Sequence, residues 1–226
     1  MCSRYCLTSP PEVVRAYFQL AEIDPFPPRY NIAPTQPVGI VRNSVRGAPE
    51  FVLVRWGLIP SWVKNPMERS TLFNARAETA AEKPSFRGSM RHRRCLIPSD
   101  GFYEWTGKAG AKIPHLIRPP AGGLMALAGL WEHWVGADGS ELETMAILTV
   151  AANTTLAPLH DRMPVILAPE THAAWLDCRS GSSLDILDLM RPAANDLLDI
   201  IPVNPLLNDV RREGPDLQVS PKSTLF

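Results

Sequence analysis

Between residues 37 and 168 the chain runs through seven apolar stretches of strand length: PVGIVR, EFVLVRWGLI, DGFYEW, KIPHLI, LMALAGLWEHW, ETMAILTVAA and PVILA. Valine, isoleucine, threonine and aromatic residues recur in them, and glycine-containing connections such as TGKAGA and GADGS read as hairpin loops. Hairpins join neighbours antiparallel, so the middle of the chain is expected to form a mostly antiparallel sheet, curved or closed like a barrel. Helical patterns are few and short. SPPEVVRAYFQLAEI reads as a helix with Ser9 as cap, Pro10 in the first turn, Glu12 completing a capping box, and an apolar stripe of Val13, Val14, Tyr17, Phe18 and Ala21. PETHAAWLD and SSLDILDLM, the latter opened by serine caps, are two more. The fold class expected is α+β: a single domain over residues 1–226, with a curved, mostly antiparallel barrel-like β-sheet core flanked by short helices.

Proline makes up 23 of 226 residues, about twice the usual ~5%, which implies many rigid loops able to hold a site in shape. The chain carries 23 basic and 23 acidic residues, so its overall charge does not announce a nucleic-acid binder. Any anionic partner has to be met by a local patch. Cys2, Cys6, Cys95 and Cys178 form no CxxC pair, which argues against a zinc site or a disulfide framework and for reduced thiols, with Cys6, Cys95 and Cys178 read as core or structural. No metal and no organic cofactor are expected. Neither a signal peptide nor an apolar run of membrane-spanning length is read, so a cytoplasmic protein is expected, nucleoid-associated when bound to DNA.

Several segments do not look like scaffold. They are the N-terminal MCSRY, FNARAET, WGLIPSW with its two tryptophans about a glycine and a proline, and RYNIAPTQ, RRCLIPSDGFYEW and LHDRMPVIL, which set titratable or amide groups beside a proline, glycine or tryptophan. Cys2 directly follows Met1. Removal of that methionine would leave an α-amine and a thiol on one residue, a pair that condenses with an aldehyde to a five-membered thiazolidine ring. In an extended FNARAET, Asn74 and Arg76 would project to one face, where a guanidinium can grip a phosphate. Glu104 stands between Tyr103 and Trp105 and would point opposite to both, towards solvent or into a pocket. His160 lies among Asp161, Arg162 and Pro164, whereas His92, His115, His133 and His172 read as structural. The run RGSMRHRRC packs four arginines and a histidine, enough for a sequence-independent phosphate track. Trp56 and Trp62 are core residues or, if exposed, faces on which unpaired bases stack.

Taken together, the N-terminal cysteine, NARAET, GFYEW and HDRMPVIL closely resemble the SRAP family of abasic-site processing proteins, in the family's order and from Cys2 to about Pro221. One departure is Ser3, where the family usually has glycine. The resemblance implies a sensor of abasic sites in single-stranded DNA, acting as a monomer. Its Cys2 would form a covalent crosslink, with Asn74, Glu104 and His160 as further catalytic residues and Arg4, Trp56, Trp62, Arg76 and Arg162 as DNA contacts. In that assignment Asn74 orients the amine and the deoxyribose, and Glu104 moves protons beside the amine. The resemblance also implies autocatalytic loss of Met1, hence a peptidase, and lyase activity on the abasic strand. Two rivals remain at this stage: an N-terminal-nucleophile amidohydrolase using the Cys2 thiolate, and a noncovalent single-strand binder in which Cys2 is inert.

Overall fold

The computed structural model describes residues 2–66, 71–108, 111–179 and 186–220. In chain order these contain β1 (Tyr5–Leu7), α1 (Pro11–Tyr17), β2 (Arg29–Ile32), β3 (Pro37–Asn43), β4 (Pro49–Trp56), β5 (Asn74–Arg76), α2 (Ala77–Ala80), α3 (Arg87–His92), β6 (Arg94–Ser99), β7 (Gly101–Thr106), β8 (Ile113–Arg118), β9 (Met125–Val135), β10 (Glu141–Ala151), β11 (Arg162–Pro164), β12 (Ile166–Leu167), α4 (His172–Leu176), α5 (Ile186–Leu189) and β13 (Asp199–Pro202). Five strands close on themselves: β10 pairs with β4, β4 with β3, β3 with β6, β6 with β9, and β9 returns to β10. The β10–β4 and β10–β5 pairings are parallel and the other pairings antiparallel, so the α+β fold with a mostly antiparallel barrel stands. Among the described residues no helix is long and apolar enough to cross a membrane.

Closure explains the sequence pattern of the longest strands. Met125 to Leu130 in β9 and Thr144 to Val150 in β10 are all buried, because one face fills the barrel and the other is covered by helices and loops. Such strands read as continuous apolar runs and not as alternations. A second sheet, in the order β13–β8–β7–β1–β2, joins the barrel where β6 runs through Asp100 into β7. Both of its faces are covered as well: Phe102 packs into the main core, while Tyr103 on the opposite face packs with Cys6, Leu116, Val203, Leu207 and Leu217. The GADGS connection is the β9–β10 hairpin loop, and β7 and β8 pair from Thr106 opposite Ile113 around TGKAGA, of which residues 109–110 lie outside the described residues.

The first helix departs from expectation at both ends. Ser9 does not cap it. The Ser9 hydroxyl donates to Asp100 Oδ1 (2.5 Å), and Asp100 Oδ2 accepts from the backbone N–H groups of Thr8 and Ser9, so α1 starts at Pro11 without a side-chain cap. At the other end Gln19 takes a left-handed φ of 54° and stops the helix, leaving Ala21 outside it and Val13 exposed. The serine caps of SSLDILDLM lie outside the described residues; α5 occupies Ile186–Leu189.

Candidate active site

Cys2 reaches the barrel wall as the lead-in to β1, whose register against β7 sets Tyr5 opposite Phe102 and Arg4 O within 2.9 Å of the Tyr103 N–H. It is fully buried and belongs to the main core. Across from it, β5 lies parallel to β10, with Asn74 beside Ile147 and Arg76 beside Thr149. Alternation along this short strand buries Ala75 and turns Asn74 and Arg76 the other way, as its sequence implies. Asn74 Nδ2 donates to the Cys2 carbonyl at 2.7 Å, and its own Oδ1 is buried with no hydrogen-bond partner among the described residues.

Glu104 follows its predicted direction, opposite to Tyr103 and Trp105, and that direction is inward: the residue is 5% exposed. Burial raises its carboxyl above the ordinary 4.5, opposed in part by the attraction of the His160 ring. Burial also pushes the Cys2 thiol far up, and the negative charge of Glu104 pushes it further. Glu104 thus lies within electrostatic reach of Cys2 on one side and His160 on the other, with Asn74 bonded to Cys2. His160 Nδ1 lies 2.7 Å from Asp161 Oδ1 and 2.9 Å from the Arg162 amide nitrogen. One ring nitrogen serves one of these at a time. Accepting from Arg162 leaves the proton on Nε2, whereas donating to Asp161 leaves Nε2 as a base.

The five residues expected to meet DNA divide sharply. Arg76 is exposed and lies two residues beyond Asn74, and its guanidinium makes no hydrogen bond or salt bridge with the described residues, though its charge helps to lower the Glu78 pKa. Arg162 is instead held: its guanidinium forks onto Glu78 at 2.6 and 2.8 Å and donates to the Thr149 carbonyl, leaving its side chain 12% exposed. Arg4 is likewise committed, donating to Asn31 Oδ1 (2.6 Å) and the Leu207 carbonyl (3.1 Å) while lying over the Trp105 ring. Trp56 requires a correction. It is fully buried, packs edge-on against Tyr5 and Phe73, and donates its indole N–H to the Phe73 carbonyl, so neither face is open to a base. Trp62 is 50% exposed and lines a separate groove with Pro60, Pro84, Arg87 and Arg93. Gly57 parts the two tryptophans: its φ of 134° turns the chain out of β4, and a Cβ there would lie 2.4 Å from Thr71.

Of the run RGSMRHRRC, Arg94 is buried and donates to the carbonyls of Trp175, Met90 and Asp177, and so serves the fold. Sequence reasoning passed over three supporting residues. Glu78 and Thr149 hold Arg162, and Asn31 ties Arg4 to the C-terminal segment through its bonds to the Asp209 and Arg212 carbonyls. Glu78 stands inside NARAET and Asn31 inside RYNIAPTQ, so the motifs contained them, but partners 84 and 181 residues away carry no local signal. Ser3 lines an open cleft with Arg4, Trp105, Lys112 and Asn208.

Comparison with known proteins gives the family and the fold. The profile described as SOS response associated peptidase (SRAP) matches residues 1–210. The chain is 36% identical over 221 residues to the abasic site processing protein YoqW of Bacillus subtilis, covering 96% of this chain and 98% of that one. It is 33% identical to the abasic site processing protein HMCES of Gallus gallus, covering 85% of this chain and 66% of that one. A crystal structure of a protein from Bacteroides thetaiotaomicron superposes with a TM-score of 0.84 at 25% identity, covering 97% of this chain and all of that one.

Proposed function

This chain belongs to the SRAP family, and from that membership we propose that it processes abasic sites in single-stranded DNA by capturing the ring-opened sugar aldehyde on Cys2 once Met1 is removed. The observation that supports the reading is a buried Cys2 bonded by Asn74 and facing the charge of a buried Glu104, which in turn lies within electrostatic reach of His160.

The chemistry follows from the protonation states. A buried thiol whose pKa is driven upward stays a thiol, so it is a poor first nucleophile. The α-amine freed by loss of Met1 attacks the C1 aldehyde carbon first. The resulting carbinolamine loses water to give an imine, and the S–H then adds across C=N: sulfur bonds to C1 and its proton ends on nitrogen. The sum is aldehyde plus aminothiol to thiazolidine plus water, with no oxidant or cofactor. Glu104, its pKa raised by burial, is suited to take a proton from the amine and return one to the departing hydroxyl. His160, with Asp161 and the Arg162 amide competing for Nδ1, is placed to open the closed hemiacetal by moving a proton at Nε2. Asn74 fixes the Cys2 carbonyl and thereby the direction of the amine. Arg76 and Trp62 supply a phosphate contact and a base face, and Arg162 joins them on leaving Glu78. The same neutral thiol disfavours an amidohydrolase, which needs the thiolate.

Incubation with a single-stranded abasic oligonucleotide, followed by denaturing electrophoresis, tests the reading. A covalent shift is expected. Noncovalent retention alone, or amide hydrolysis with no shift, overturns it.

A further inference from the structure

We infer that the cationic run of α3, remote from Cys2, is a second backbone contact that holds nucleotides flanking the reacting one. The inference extends the DNA-binding reading above to a surface that the reaction itself does not use.

Arg87 and Arg91 stand one turn apart on the exposed side of α3, about 6 Å along its axis, while Ser89 and Met90 on the other side are buried. Neither guanidinium makes an ion pair or hydrogen bond with the described residues; the bond from Arg87 to Lys83 is through the Arg87 backbone N–H. A helix of six residues is too short to hold itself. It is anchored from beneath, where the Ser89 hydroxyl donates to Glu132 Oε2 (3.2 Å) and Met90 packs into the core. The two guanidinium groups are therefore carried on a fixed platform in a chain of zero net charge, with no ion pair to either among the described residues.

Each end of this platform opens into a groove. One, of about 490 Å³, is lined by Trp62, Arg87 and Arg93, with its one acid, Glu132, already paired to Arg93 at 3.1 Å. The other, of about 720 Å³, is lined by His92, Arg93, Arg42 and Arg179, together with Glu50 and Asp177; Glu50 is paired to Arg42, whose guanidinium lies 4.2 Å over the Trp131 ring. Arg93 lines both, so the two grooves adjoin at that side chain. A positive track carrying an exposed aromatic face is how proteins hold an unpaired strand without reading its sequence.

Sheet register places this track relative to the site. Asn74, Ile147, Gly129 and Cys95 form one row across β5, β10, β9 and β6, so about 14 Å of sheet separates Asn74 from the residue after Arg94. With that much sheet between them, α3 would meet nucleotides flanking the one at Cys2.

Fluorescence anisotropy with undamaged oligothymidines of about 5 and about 20 nucleotides, across a salt series, tests the track without the covalent reaction. For Arg87→Gln/Arg91→Gln the slope of log affinity against log salt on the long probe is expected to flatten by about 1.4, two phosphate contacts at about 0.7 each, with the short probe unchanged. Arg87→Lys/Arg91→Lys is expected to keep the parent slope. An unchanged slope on the long probe, or an equal change on both probes, overturns the track while leaving the Cys2 reading intact. Failure of the parent to bind either probe overturns the DNA reading and the track with it.

Discussion

Substituting each tryptophan of WGLIPSW in turn separates scaffold from contact surface. Trp56 is fully buried, meets Tyr5 at a ring-centroid distance of 5.2 Å, and donates its indole N–H to the Phe73 carbonyl at 2.8 Å. Trp56→Ala removes a large core side chain, at about 3–5 kcal/mol, and takes away one of the two donors to that carbonyl, the Ile147 N–H remaining. At about 2–4 °C per kcal/mol for a chain of this size, the melting temperature should fall by about 6–20 °C. Trp62 is half exposed, so Trp62→Ala should change stability by less than about 1 kcal/mol. If the exposed ring stacks on a base, the loss is about 1–3 kcal/mol of binding, or roughly 5- to 150-fold in affinity for single-stranded DNA. Thermal melts and anisotropy titrations on the same two preparations read both quantities. The reasoning fails if Trp62→Ala melts as low as Trp56→Ala, or if Trp56→Ala keeps its stability and loses affinity.

Three further outcomes are expected. Because burial raises the folded-state pKa of Glu104, its stabilising contribution is complete below the unfolded value near 4.5 and is lost as pH rises through the folded value. Glu104→Gln should therefore be more stable than the parent at neutral pH in urea melts, with the advantage shrinking as pH falls through the raised folded value towards about 4.5 and constant below that; a difference that stays the same from neutral pH down to about 4.5 contradicts this. Asn74→Ala loses the donor to the Cys2 carbonyl and should slow single-turnover adduct formation by about tenfold, whereas an unchanged rate would show that the amine is oriented by something else. His160→Ala should be slow with the closed sugar and rescued by an analogue locked as the open aldehyde, which leaves Glu104→Gln slow; the reverse pattern exchanges their roles.

What was legible in the sequence was the strand set, because a closed barrel covered on both faces demands long apolar runs such as LMALAG. The parallel β10–β4 and β10–β5 pairings were not legible, since they join segments that no hairpin connects. Alternation showed that Glu104 opposes its aromatic neighbours, but not which side was the interior, for Tyr103 on the opposite face is as deeply buried. The cap of α1 failed for a related reason: Ser9 is claimed by Asp100, 91 residues on, and a nonlocal carboxylate outbids a local turn. The four candidate catalytic residues were legible as motifs: Cys2 leads into β1, Asn74 opens β5, Glu104 lies within β7 and His160 precedes β11. The arginines were not, because a guanidinium in a motif reads the same whether it faces solvent, as Arg76 does, or is clamped by Glu78, as Arg162 is.

The central claim is that the Cys2 amine and thiol together close a ring on the abasic sugar. Mass mapping of the isolated adduct after nuclease and protease digestion addresses it directly. The account predicts an N-terminal peptide that lacks Met1 and carries the sugar remnant at Cys2 with the loss of one water, stable without reduction, while Cys2→Ala gives an adduct recoverable only after borohydride trapping. A sugar-bearing peptide that retains Met1, or a Cys2→Ala adduct as stable as the parent's, contradicts it.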